Sequence, residues 1–220
     1  MSRDLTVIVP VKAESARCEN KNFRPFDGGE SLLELKLGQL LRAGLPPESI
    51  AVATDSRPLI EDTELDVIDD TGHNTTFAEA LDYWISHVTT PELAIVHVTC
   101  PLFGEQELRR FFAHWSHGPR NGIDSMFTGR RARHFLIEEP CRPVNFQFGP
   151  WHGAGSTAIK PLVEMTCAAF AITTEAARHC RYYIGRRPAI YMHGGPHVDI
   201  DTEDDFRLAQ ILYREQQCRR

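Results

Sequence analysis

The sequence predicts an α/β protein: a mostly parallel sheet with helices on both faces and one small inserted lobe. Three observations lead there. Short β-branched runs recur along the first hundred residues, each bounded by turn residues. Between them lie stretches whose apolar residues return at helical spacing, and this alternation builds parallel sheets covered on both sides. Between about residues 124 and 161 the rhythm breaks in a Pro/Gly/aromatic-rich stretch, then resumes.

Thr6-Val7-Ile8-Val9-Pro10-Val11 lacks polar alternation and reads as a strand buried on both faces. A polar loop runs from Lys12 to Glu30. Ser31-x-x-Glu34 is a capping box, opening a helix with Leu33, Leu37, Leu40 and Leu41 on one stripe; Gly44 and a double proline end it. Residues 50–55 form a second strand and residues 65–68 a third, and the acidic run from Glu61 to Asp70 reads as a solvated face. Thr76-x-x-Glu79 caps a helix carrying Phe77, Leu81, Trp84, Ile85 and Val88. Residues 93–98 are a fourth strand, followed by a helix over 105–117 whose Phe111, Phe112 and Trp115 read as core. Past the inserted lobe come a strand at 164–172, a short helix at 174–181, a strand at 189–193 and a last helix over 202–217. His193 and His197 fall in the loop before Asp199, where glycines and a proline forbid a helical metal pair.

At 220 residues the chain suits a single domain spanning 1–220. A hydrophobic share of 42% with 25% charged residues is an ordinary soluble composition. The net charge of −6 argues against general nucleic-acid binding, which needs a basic footprint. Six cysteines without a Cys-x-x-Cys pair suggest reduced thiols and no zinc site. With a strand already under way by residue 6 and no apolar stretch near the roughly 18 residues of a membrane helix, the expectation is a cytoplasmic protein with no leader and no membrane contact.

Two segments carry chemistry. Val198-Asp199-Ile200-Asp201-Thr202 sets two carboxylates two residues apart at the end of a strand, where i and i+2 share a face. Asp199 and Asp201 could therefore converge on a hard cation such as Mg²⁺; alternatively Asp201 or Thr202 only caps the helix that follows. The loop after the first strand groups Lys12, Arg17 and Lys21 with Ser15 and Asn22. Such cations suit a triphosphate, whose charge must be offset before an oxygen can attack it; a solvated mixed-charge loop is the plainer alternative. It is neither a P-loop nor a Gly-x-Gly-x-x-Gly turn. In an open parallel sheet, loops at the carboxyl ends of the strands converge on the ligand, which would put this loop, Asp55, Thr99 and the aspartate pair on one rim.

These segments resemble the cytidylyltransferases that make CMP-sialic acid and CMP-KDO. Pro10, Ser15, Lys21 and Asn22 match the N-terminal signature, with Lys12 where that family has arginine. Thr54-Asp55 is similar to its Ser-Thr-Asp, Thr99-Cys100-Pro101-Leu102 to its Thr-Ser-Pro-Leu, and Asp199 to Phe206 to its closing Asp-Ile-Asp-Thr-x-x-Asp-Phe. The resemblance implies a Rossmann-like fold, a homodimer, and Mg²⁺-dependent transfer of CMP from CTP to an acidic acceptor with pyrophosphate leaving. Lys12, Ser15, Arg17 and Lys21 would then face the triphosphate, Asn22 the nucleotide, and Asp199 and Asp201 the metal, with Lys12, Lys21 and Asp201 catalytic. Asp55 falls on the nucleotide side, and Asn74-Thr75 falls where the family lines its cytidine pocket.

The chain departs from the family at Ala13-Glu14, which replace two glycines, and more at the acceptor end, where His97 and Cys100 replace a glutamine and a serine. Arg130, Arg131 and Arg133, with Lys160, form a basic cluster suited to a carboxylate or phosphonate, or to a dimer contact. His97 and Thr99 join the acceptor-side candidates. The acceptor is then a small phosphonate or a sialic/KDO-type keto acid. A nucleotide-sugar glycosyltransferase with a DxD pair, or a non-catalytic nucleotide-binding protein, are the alternatives.

Overall fold

The computed structural model describes residues 4–14, 17–56, 65–73, 76–132, 134–149 and 160–218. Seven strands among these form one sheet: β1 (Leu5–Val11), β4 (Ile50–Thr54), β5 (Asp66–Asp69), β6 (Glu92–Val96), β7 (Ser125–Arg131), β10 (Val163–Thr173) and β11 (Pro188–Met192). Their order across the sheet is β11-β7-β10-β6-β1-β4-β5. β1 pairs parallel with β4 and β6, β4 with β5, and β7 with β11, while β10 runs antiparallel between β6 and β7. Two short ribbons, β2 (Pro25–Asp27) with β3 (Glu30–Ser31) and β8 (Ile137–Glu138) with β9 (Arg142–Pro143), lie outside it.

β1 is buried on both sides, as its unbroken apolar run requires. Val7, Val9 and Val11 pack against α1 (Leu32–Arg42), α3 (Glu105–Trp115) and α5 (Glu203–Cys218). Ile8 points to the other layer, with α2 (Phe77–His87) and α4 (Thr174–Cys180). Both expected capping boxes form, at Ser31/Glu34 and Thr76/Glu79. Phe111, Phe112 and Trp115 are core.

Four expectations shift. The buried face of α1 is Leu32, Leu33, Leu35, Lys36, Gln39 and Leu40, while Leu41 is exposed. Phe77 is exposed as well, because the first turn of α2 overlooks a cleft. Residues 125–131, read above as part of the inserted lobe, form a strand of the main sheet; departure from the sheet begins after Arg131. Asp199 and Asp201 do not end a strand: β11 stops at Met192, and 198–202 is an irregular segment. The alternation survives nonetheless, since Val198 and Ile200 are buried and the aspartates between and after them face outward. One ladder-like bond, from Ile200 N to the Thr99 carbonyl (2.9 Å), holds this segment against the turn after β6.

The chain leaves β1 for β4 and β5 on one side, then returns to β6 on the other. The carboxyl end of β1 is thus the switch point where open α/β sheets form their ligand crevice. β10 enters the sheet at that same edge, since Val163 lies opposite Arg131.

Candidate active site

A cleft of about 310 Å³ opens at this switch point. Its two ends differ in character. Val11, Ala53, Phe77, Ala80 and Trp84 make an apolar end between the sheet and α2, and Lys12, Lys21 and Asn22 make a polar one, with His97 and Thr99 on the β6 side. Lys12, Lys21, Asn22, His97 and Thr99 are therefore brought together, so His97 and Thr99 lie with the loop residues and not with the basic cluster. Burial lowers the His97 pKa and the nearby Asp199 raises it; burial is the larger effect, so the ring stays neutral.

The loop that carries the cations is fixed at several points. Asp55 accepts from the Ala13 backbone N–H (2.8 Å) and Asn22 donates through Nδ2 to the Lys12 carbonyl (2.9 Å). Asp55, expected on the nucleotide side, braces the loop through this bond. Lys21 donates to the Ile200 carbonyl and stands 3.8 Å from Asp201, and Arg17 donates to Asp201 at 2.8 Å. Arg24 grips Glu203 with both terminal nitrogens at 2.9 Å and lies 3.9 Å over the Phe206 ring. The two ends of the chain meet through these bonds.

Capping of α5 is done by Thr202 and Asp205. The Thr202 hydroxyl accepts from Asp205 N, and the Asp205 carboxylate accepts from Thr202 N and Oγ1. Asp201 is thereby relieved of that role, and Asp199 and Asp201 remain as outward hard-oxygen donors beside the loop. Among the described residues no group of three or more His, Cys, Asp or Glu converges on a point. Two carboxylates still fit Mg²⁺, which takes one or two of them and fills its octahedron from phosphates and water.

A second, larger cleft of about 560 Å³ lies farther along the same edge. Arg130 and Arg131 end β7 there, Glu164 is the second residue of β10, and His134 and the 192–196 turn complete it. Arg130 is paired to Glu164 at 2.8 Å. His193 is buried and shares a hydrogen bond with the Thr166 hydroxyl (3.1 Å). The neighbouring His197 is pushed down to about 4, by burial first and then by His193 and Arg130. Asp199 acts electrostatically on His97, at the first cleft, and on His197.

Lys160 is exposed, its backbone N–H bonded to the Asn145 carbonyl in the lobe, and does not line this cleft. Ser15, Asn74, Thr75 and Arg133 lie outside the described residues. Cys100 is buried, its thiol driven well above the ordinary range chiefly by that burial, which removes any nucleophilic role at neutral pH. None of the six cysteines forms a disulfide.

Sequence reasoning missed Asp70, Glu164 and His193. Asp70 was read with the solvated acidic run, yet it is 3% exposed and accepts from Trp84 Nε1 at 2.8 Å. The signal available was weak: Asp70 is the first residue beyond the β5 run, at the rim where side chains turn inward.

The fold is an α/β Rossmann-like one found in enzymes that handle nucleotides. Aligned over 97% of this chain and 99% of its own, CMP:2-keto-3-deoxy-manno-octonic acid synthetase complexed with CTP shares it at 12% identity and TM-score 0.65. The bifunctional IspDF of Campylobacter jejuni does so at 11% identity and TM-score 0.69, over 93% of this chain and 53% of that one. A glucose-1-phosphate thymidylyltransferase of Bacillus anthracis follows at 10% and 0.65, over 96% and 95%. No protein-family description and no curated protein sequence matches the chain.

Proposed function

We propose that the chain is a cytidylyltransferase that moves CMP from CTP to an acidic acceptor and releases pyrophosphate. One observation carries this reading: a cleft at the switch point with an apolar end walled by Trp84 and Phe77 and a cationic end at Lys12 and Lys21, with Asp201 3.8 Å from Lys21 and Asp199 near enough to His97 to act on it electrostatically. The likeness to a synthetase solved with CTP supports it.

The base lies against Trp84 and Ala80, and Lys12 and Lys21 offset the phosphate charge. Arg17, exposed and paired to Asp201 at 2.8 Å, swings from that carboxylate to the triphosphate. Asp199 and Asp201 would hold Mg²⁺, which supplies charge neutralisation at the phosphates when bound. An acceptor oxygen held in the second cleft attacks the α-phosphorus in line; the bond to the bridging oxygen breaks, and pyrophosphate leaves with that electron pair. Arg131 gives that cleft exposed positive charge beyond the Arg130–Glu164 pair, and His134 lines it as an exposed ring.

The protonation state of the attacking oxygen favours one acceptor. A sugar hydroxyl must lose a proton, and His197 with a pKa near 4 is a weak base for it. A small phosphonate brings an oxygen already ionised and needs only positioning, so it is the better-matched nucleophile, with keto-acid sugars as the second class. A homodimer in the cytoplasm belongs to the same proposal: edge strand β11 exposes Ile190 and Met192, and the lobe exposes Phe135, Ile137 and Phe148, an apolar face for a second copy.

Pyrophosphate release with CTP, Mg²⁺ and a panel of small phosphonates and keto-acid sugars tests the reading. Lys21→Ala and Asp201→Asn should each lower turnover by about a hundredfold or more. Near-normal turnover in both, or glycoside formation without pyrophosphate, would remove it.

A further inference from the structure

We infer that Asp70 reads the base in the first cleft by accepting a hydrogen bond from an exocyclic amino group, and so selects cytosine over uracil or thymine. The inference rests on the proposed nucleotide site and names what sets its choice of base.

Asp70 is the residue after β5, and its carboxylate is almost wholly buried where it borders the apolar end of the cleft. Its backbone is satisfied on both sides: Asp70 N donates to the Thr54 carbonyl (2.9 Å) and its own carbonyl accepts from His73 N (2.8 Å). On the side chain, Oδ2 accepts from Trp84 Nε1, but Oδ1 is buried with no partner among the described residues. A carboxylate oxygen left so costs free energy that a donor arriving with a ligand recovers. Burial raises the Asp70 pKa, and Asp55 and Asp69 add to the rise while the Trp84 bond and Lys12 oppose it.

Flat apolar walls alone cannot tell one pyrimidine from another. Ala53, Ala80, Phe77 and Trp84 meet cytosine and uracil alike. The two bases differ at one edge, where cytosine carries an amino donor at C4 and uracil and thymine carry a carbonyl oxygen. A bare carboxylate oxygen matches the first and repels the second. Asn22 Oδ1, likewise buried in the cleft with no partner among the described residues, is on the loop whose Lys12 carbonyl its Nδ2 bonds, and suits a sugar hydroxyl.

Trp84 turns this into a sharp test. Its indole N–H must keep an acceptor, so in Asp70→Asn the amide oxygen stays on Trp84 and the NH₂ group is what faces the cleft. The position then changes from acceptor to donor with almost no change in shape. Nucleotide binding without any acceptor substrate, followed by calorimetry in Mg²⁺ with CTP, UTP and dTTP, reads the effect. The wild type should bind CTP at least about tenfold more tightly than UTP or dTTP. Asp70→Asn should weaken CTP and strengthen UTP, bringing the ratio to one or inverting it. Equal wild-type affinities for CTP and UTP overturn the inference without any variant, so it survives a misfolded Asp70→Asn. A properly folded Asp70→Asn that keeps the wild-type ratio overturns it too, while leaving the nucleotide site intact. Absence of binding by all three nucleotides removes the site and the inference together.

Discussion

Lys36 lies on the inner face of α1, 1% exposed, with Nζ donating to the Cys100 carbonyl (3.0 Å) and the Phe103 carbonyl (2.8 Å). One turn on, Gln39 donates to the Pro101 carbonyl (2.9 Å). Together they hold the turn that carries Thr99 to the rim. Burial disfavours the ammonium and brings Lys36 down to about 7, whereas an unfolded lysine titrates near 10.4. Between those values the unfolded chain binds more protons, so the Lys36 contribution to stability grows as pH rises from about 7 toward 10. Lys36→Met strands two buried carbonyls and should cost about 1–3 kcal/mol at about pH 9, and less at about pH 6, where the wild type bears a buried charge. Urea unfolding at both values measures this; a cost that is equal, or greater on the acid side, would contradict it. Nothing in the sequence separates Lys36 from a surface lysine, because helical periodicity reports apolar residues and a snorkelling or inward cation breaks the stripe silently. Asp70 escaped for the same reason. The loop cations and the aspartate pair were legible because their spacing itself implies a shared ligand.

Strand β10 shows what an element conceals. Its pairing with β7 slips between Met165 and Phe170, and Cys167 there takes a left-handed φ of 51°. A bulge leaves backbone donors without a ladder partner. The buried Thr128 hydroxyl supplies one, accepting from Ala168 N (3.1 Å) and Ala169 N (3.2 Å). The bend re-aims the strand so that Thr166 meets His193 at the second cleft. Thr128→Val keeps the volume and removes the acceptor, and should destabilise the protein by about 1–3 kcal/mol. Thr128→Ser should recover most of the loss, as read by thermal unfolding; an equal loss in both would mean the methyl and not the hydroxyl matters. The alternation of strands and helices over the first hundred residues was readable, down to both capping boxes. β7 was not, because Ser125-Met126-Phe127-Thr128-Gly129 is short, mixed in polarity and followed by arginines. Gly129 gives the physical reason for its composition: a Cβ there would come within 2.7 Å of Val163 and 2.9 Å of Ile190, so the centre of this strand has to be small.

At the scale of the molecule, the last helix closes the site that the first loop opens. Phe206 and Ala209 are buried in the larger core layer, and Phe26 of the β2 ribbon packs edge-on against Phe206 (5.4 Å) and Tyr213 (5.6 Å). Gln210 bonds the Phe26 carbonyl and Arg214 the Asp27 carboxylate (2.8 Å). These contacts span the whole sequence, so the loop that Asp55 braces on the β4 side is tied to α5 on the other. Surface pairs such as Arg17–Asp201 add little by themselves; the aromatic packing beneath them supplies the free energy. A chain ending at Asp201 keeps the entire seven-stranded sheet and both carboxylates, yet it uncovers Phe26 and part of the core. It should bind CTP at least about tenfold more weakly than the full chain, and bind the dye ANS, as exposed apolar surface does. If instead the truncated chain held CTP with full affinity, the loop would be ordered by β1 alone, and the meeting of the two chain ends would be incidental to the site. The expected loss follows from topology: β1 and its loop come first along the chain, and the surface that fixes that loop comes last.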